Sequence, residues 1–215
     1  MTRTLFHPCC GADIGPALRG FAHRVDAVHA SDLVAPAESI RCLRPQWELS
    51  PVRTIKHEFE VELEPNGFCG IRNLSERPKA IPSGTRHEFI ATERSSRREL
   101  PFIWHEYDAV EALRHIDNIS VFFFRRDSPH DGEGSSGVLW LGDLLLRRVV
   151  AKLEPGGLIV TDGGHMDGVA EQSALWQAPN SGLRDGTEFH VCGRRFIFDS
   201  EFCSARSPTL VWRCE

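Results

Sequence analysis

No apolar run in this sequence approaches the roughly 20 residues needed to cross a bilayer as a helix, which argues against a membrane-spanning segment. The N-terminus enters strand-like sequence without a basic and apolar leader, so the expected compartment is the cytoplasm. Excess positive charge is missing as well. A net charge of −5 and a pI near 6.1 do not build the field with which nucleic-acid binders neutralise phosphates. Arg94, Arg97 and Arg98 form one local basic cluster, expected at a solvated hairpin tip. None of the seven cysteines forms a C-x-x-C pair, their number is odd and two are adjacent, which excludes a disulfide framework and leaves reduced thiols. Cys192, Cys203 and Cys214 recur every eleven residues with His190 nearby, but they fall in strand-like sequence rather than paired tight loops, so core packing is expected there instead of zinc.

At 215 residues and 24.2 kDa, with 41% hydrophobic residues, the chain is long enough for one good core and short for two. A single domain over 1–215 is expected. Its most informative stretch is Leu5-Phe6-His7-Pro8-Cys9-Cys10-Gly11-Ala12-Asp13-Ile14-Gly15-Pro16-Ala17-Leu18, closing at Val28-His29-Ala30-Ser31-Asp32, which reads as strand, tight turn, helix, strand and acid. Such a turn aims backbone N–H groups into a crevice, and a carboxylate about 20 residues on accepts from ribose hydroxyls, an arrangement that binds nucleosides. The dinucleotide fingerprint G-x-G-x-x-G is absent, since Cys9 and Asp13 stand where glycines belong.

After Asp32 the pattern changes. Arg53 to Glu64 and Thr85 to Thr92 alternate with the period of a strand, and Val52 to Arg98 reads as an antiparallel β excursion, over a substrate crevice or as a stabilising ribbon. A strand follows at Leu100 to His105, ending in Glu106-Tyr107-Asp108-Ala109, and then a short helix from Val110 to His115. Ile119-Ser120-Val121-Phe122-Phe123-Phe124 has the continuous apolar character of a central strand. A polar loop covers Arg125 to Gly137, a helix Val138 to Leu153, and Leu153-Glu154-Pro155-Gly156-Gly157 reverses the chain into Leu158-Ile159-Val160-Thr161-Asp162. Glu188 to Phe198 and Leu210 to Cys214 read as two closing strands.

The Cys10-Gly11 turn, the acid with its small neighbour at Asp108-Ala109, and above all helix, L-x-P-G-G, strand and acid resemble the class I S-adenosylmethionine-dependent methyltransferases. In that resemblance His7 falls at the first motif's acid, Cys9 at its first glycine and Asp13 at its last. It implies an α/β fold: a mostly parallel, Rossmann-like sheet with helices on both faces, a reversed C-terminal strand and the 52–98 excursion after the second strand. It implies S-adenosylmethionine as cofactor, held by His7, Cys10, Gly11, Asp13, Asp32, Asp108 and Ala109, with Asp108 also able to cap the helix that follows. Methyl transfer from a sulfonium needs alignment and exclusion of water, with a base only where the acceptor carries a proton. The loop after Phe124 lies nearest the expected methyl position. It supplies Asp127 and His130, with His165 as second candidate base, set against the more ordinary reading of each histidine as a solvated loop residue.

Asp127 and Asp162 together resemble the magnesium-dependent catechol-type branch, but Gly163 stands where asparagine is expected and two arginines precede Asp127, so no metal is assigned. The expected activity is methyl transfer to a small-molecule acceptor, with no nucleic-acid or membrane partner. The irregular first turn leaves open aminoalkyl transfer from the same cofactor or its cleavage, and a non-catalytic binding protein of the same fold.

Overall fold

The computed structural model describes residues 2–8, 10, 14–32, 35–58, 63–64, 67–68, 83–107, 109–124, 143–161, 186–204 and 207–215. In chain order the elements are β1 (Thr4–Pro8), α1 (Ile14–Phe21), β2 (Ala27–Asp32), α2 (Ala37–Leu43), β3 (Trp47–Leu49), β4 (Arg53–Glu58), β5 (Leu63–Glu64), β6 (Gly67–Phe68), β7 (Ser83–Glu93), β8 (Glu99–Glu106), α3 (Ala109–Leu113), β9 (Ile119–Phe124), α4 (Asp143–Lys152), β10 (Leu153–Thr161), β11 (Glu188–Val191), β12 (Arg194–Ser204) and β13 (Ser207–Cys214). Eleven of the strands join in one sheet ordered β11-β12-β13-β10-β9-β1-β2-β8-β7-β3, with β4 also paired to β7, while β5 and β6 form a separate ribbon.

Five strands at the centre, β8-β2-β1-β9-β10, run parallel. Parallel ladders form where both faces are covered, and the burial pattern agrees: every residue of β1 and β9 is buried. One face packs Leu5, Val28, Phe102, Trp104, Val121 and Phe123 beneath α1, whose Ile14, Ala17, Leu18 and Phe21 supply the apolar stripe at helical spacing. The opposite face packs Phe6, Phe122, Phe124, Ile159 and Trp212 with α3 and α4.

Antiparallel strands extend this core at both sides. β7 pairs with β8 and carries β3 and β4, and β13 pairs with β10 and carries the hairpin of β11 and β12. This overturns the expected fold class. The sheet is mixed and largely antiparallel; about 55% of the described residues are in strands and 23% are helical. The four α-helices among the described residues are short, from 5 to 10 residues. It is not the helix-flanked, mostly parallel Rossmann-like sheet of the methyltransferase superfamily, and the resemblance to that family does not hold. The physical reason lies in the alternating segments: Thr85 to Thr92 and the C-terminal residues carry period-two sequence that satisfies its backbone in ladders, where a crossover helix would need period 3.6.

Two local readings are also corrected. Glu188 to Phe198 is a hairpin rather than one strand, because Cys192 (φ 50°) and Gly193 (φ 75°) form a two-residue turn between Val191 and Arg194. Cys192 is therefore exposed in that turn, whereas Cys214 is buried. Arg98 does more than solvate a hairpin tip: its guanidinium donates to the carbonyl oxygens of Ala22 (2.6 Å) and Val25, pinning the β7–β8 turn to the 3-10 turn after α1. The Leu153 to Gly157 segment holds Gly156 at φ +77°, the left-handed conformation glycine adopts without strain. Among the described residues no helix is long and apolar enough to cross a membrane.

Among the described glycines the tightest approach is at Gly84 in β7. A methyl group there would stand 2.4 Å from Tyr107 Cδ1 and 2.9 Å from the Glu106 carbonyl oxygen, and the second of these cannot rotate away. Gly84→Ala should therefore lower unfolding free energy by about 1–3 kcal/mol. Urea denaturation measures it; a variant as stable as the parent would show that β7 and β8 are not packed this closely.

Candidate functional site at the carboxyl edge of the parallel core

Strand order reverses at β1, which has β2 on one side and β9 on the other. In open sheets with parallel cores, ligands sit beyond the carboxyl ends of the strands at such a reversal. Three of the sequence-predicted residues lie there. His7 is fully buried, its ring packed 4.9 Å from that of Phe123, and its Nδ1–H donates to the Pro8 carbonyl at 3.0 Å, which fixes the tautomer. The backbone N–H of Cys10 donates to the Ser31 carbonyl at 3.3 Å, so the chain leaving β1 folds over the end of β2. Asp32, the last residue of β2, is half-buried in register with Glu106 of β8. Beside it the Ser31 hydroxyl is buried with no hydrogen-bond partner among the described residues. Ala109 opens α3 beyond β8 and is buried in the core on the α3 face. Gly11, Asp13, Asp108, Asp127, His130, Asp162 and His165 lie outside the described residues.

A second group of polar side chains, which sequence reasoning missed, gathers just beyond β8. His57 of β4 pairs in register with Gly84, one residue past the Thr85–Glu106 pair that ends β8, so it stands at the carboxyl edge of the core. Glu111 comes from α3 and His115 from the tightened turn that closes it, where Arg114 N–H donates to the Glu111 carbonyl and His115 N–H to the Ala112 carbonyl. Their spacing of four puts both side chains on one side of the helix. His57 Nε2 lies 3.4 Å from Glu111 Oε1 and 3.1 Å from His115 Nε2. His115 Nε2 is 3.9 Å from Glu111 Oε1, and Arg114 Nε lies 3.2 Å from the other carboxylate oxygen.

Behind this triangle runs a buried relay. Tyr107 Oη and His105 Nδ1 are 2.6 Å apart, and His105 Nε2 and His29 Nδ1 are 3.0 Å apart. The His105 ring stacks at 5.8 Å on that of His115, and His57 lies 5.5 Å from Tyr107. Burial keeps both relay histidines neutral: it pushes His29 down to about 4 and His105 well below its ordinary value, with the positive charges of nearby groups such as His115 and Arg86 adding to it. Burial likewise drives the Tyr107 phenol upward, so it stays protonated. His115 is lowered too, by burial first and then by the charges of His57 and Arg86, against the pull of Glu111.

The signal for this group was faint because its parts are far apart in sequence. Glu111 and His115 share a short helix, but His57 is 54 residues away on a strand, and no local motif joins them. No protein-family model and no curated protein matches the chain.

A histidine whose pKa is lower folded than unfolded takes up its proton first in the unfolded state. Stability should therefore fall as pH drops from about 6.5 to about 4, by about 3 kcal/mol from His29. Urea midpoints across that range test it, with His29→Gln expected to flatten the decline; an identical slope in parent and variant would place the pH dependence elsewhere.

Proposed function

We propose that the protein is an enzyme that binds S-adenosylmethionine where strand order reverses, and transfers its methyl group to a small-molecule acceptor. The observation that carries this reading is the placement of Asp32 at the carboxyl end of β2, directly beside the reversal at β1. The reading does not depend on a helix-covered sheet, because a binding site is defined by its local geometry, and the same carboxyl edge occurs wherever parallel strands are exposed at their ends.

The chemistry asked of the protein is modest. The sulfonium already activates the methyl carbon, so the site must align acceptor oxygen or nitrogen, carbon and leaving sulfur and keep water away. In this reading Asp32 accepts from the ribose hydroxyls. Asp127, His130 and His165 serve as orienting groups or base for the acceptor.

Calorimetry with S-adenosylmethionine tests the reading directly, and mass spectrometry of the spent cofactor separates methyl transfer from aminoalkyl transfer or cleavage. A charged acceptor contributes about 1.5–3 kcal/mol per hydrogen bond, so Asp32→Ala should weaken binding roughly ten- to a hundredfold with the thermal midpoint nearly unchanged. Equal affinity in parent and variant, or no heat of binding in the parent, would overturn the proposal.

A further inference from the structure

The triangle of His57, Glu111 and His115 is not accounted for by hydrogen bonding alone. The 3.1 Å approach of two imidazole nitrogens fits one shared proton, and 3.4 Å from His57 to Glu111 fits a long hydrogen bond. The 3.9 Å edge from His115 to the same carboxylate oxygen is beyond hydrogen-bond reach. All three atoms nevertheless converge within 4.8 Å of one another. Donors each about 2.1 Å from a tetrahedral ion stand about 3.4 Å apart, and the three edges of this triangle bracket that separation. We propose that His57, Glu111 and His115 form a binding site for a divalent transition-metal ion, with two imidazole nitrogens and one carboxylate oxygen as protein ligands.

The surroundings suit a metal. Glu111 is buried, and Arg114 holds its second oxygen, which leaves Oε1 turned toward the histidines. Oriented ligands of this kind are what a supporting layer around a metal provides. The His105 ring stacks on that of His115 and the Tyr107 ring packs against His57. Two histidines and one carboxylate match the donor preferences of zinc, iron(II) or cobalt(II) over calcium or magnesium. Three protein donors leave at least one coordination position for water or a substrate oxygen. The inference stands apart from the proposed cofactor site: it rests on β4 and α3, and no ligand in it is Asp32 or belongs to β1.

The test is titration of the chelator-treated 215-residue chain with zinc by competition calorimetry and with cobalt(II) by visible absorption. One equivalent should bind, and the cobalt spectrum should lack thiolate charge transfer, which separates this site from the chain's cysteines. Glu111→Gln and His115→Ala should each weaken zinc binding by about 100-fold or more. Should either variant fail to fold by circular dichroism, the parent protein decides the matter alone: hyperfine-shifted proton resonances from two histidine ring N–H groups are expected in the cobalt form. Absence of stoichiometric binding, thiolate charge transfer, undiminished affinity in the folded variants, or a cobalt form without those two resonances would each overturn the assignment.

Discussion

Parallel pairing around β1 is the constraint on which the rest of the molecule depends. A parallel strand cannot present one face to water as cheaply as an antiparallel one, so both faces of β1 must be covered. Leu5 faces one apolar cluster and Phe6 the other, and both side chains are inaccessible to solvent. β9 inherits the same requirement, which Phe122 and Phe123 meet on opposite faces. With the direction and neighbours of β1 fixed, the carboxyl ends of β2, β1 and β9 fall on one edge, and Pro8 and Asp32 come to that edge together.

The antiparallel flanks then decide what else reaches that edge. β7 lies along β8, and β4 along β7, so His57 arrives beyond the end of β8 by way of two ladders rather than by a local loop. His87 ties the same three strands: its Nε2 lies 2.8 Å from Glu106 and its Nδ1 3.2 Å from Thr54 Oγ1. The histidine triangle is thus a product of long-range registry. A one-residue slip of β4 against β7 would turn His57 to the other face and dismantle it.

Much of the element pattern could be read from sequence because periodicity reports burial. The unbroken apolar run Ile119 to Phe124 is a strand buried on both faces, and the Pro155-Gly156-Gly157 reversal does return the chain from α4 to the sheet. The fold class was not legible, for a physical reason. The motifs that suggested a helix-covered parallel sheet lie in and beside its central strands, whereas the balance of ladders is set at the flanks, where alternating sequence such as Arg86 to Ala91 carries no mark of which strand it will join. Likewise Cys192 hid a hairpin, since cysteine is not among the residues that announce a left-handed turn. The position of Asp32 at the end of β2 was legible from its distance to the first turn. His57, Glu111 and His115 were not, because side chains from a strand and a helix meet only through the tertiary fold.

The proposed ligand site is the carboxyl edge of the parallel core, at the reversal beside β1. A crystal structure grown with S-adenosylhomocysteine tests this most directly, because it reads position rather than affinity. Density is expected beyond the ends of β1 and β2, with the ribose hydroxyls within hydrogen-bond distance of the Asp32 carboxylate. Density at any other edge of the sheet, or a ligand-free edge beside β1 at saturating concentration, would contradict it.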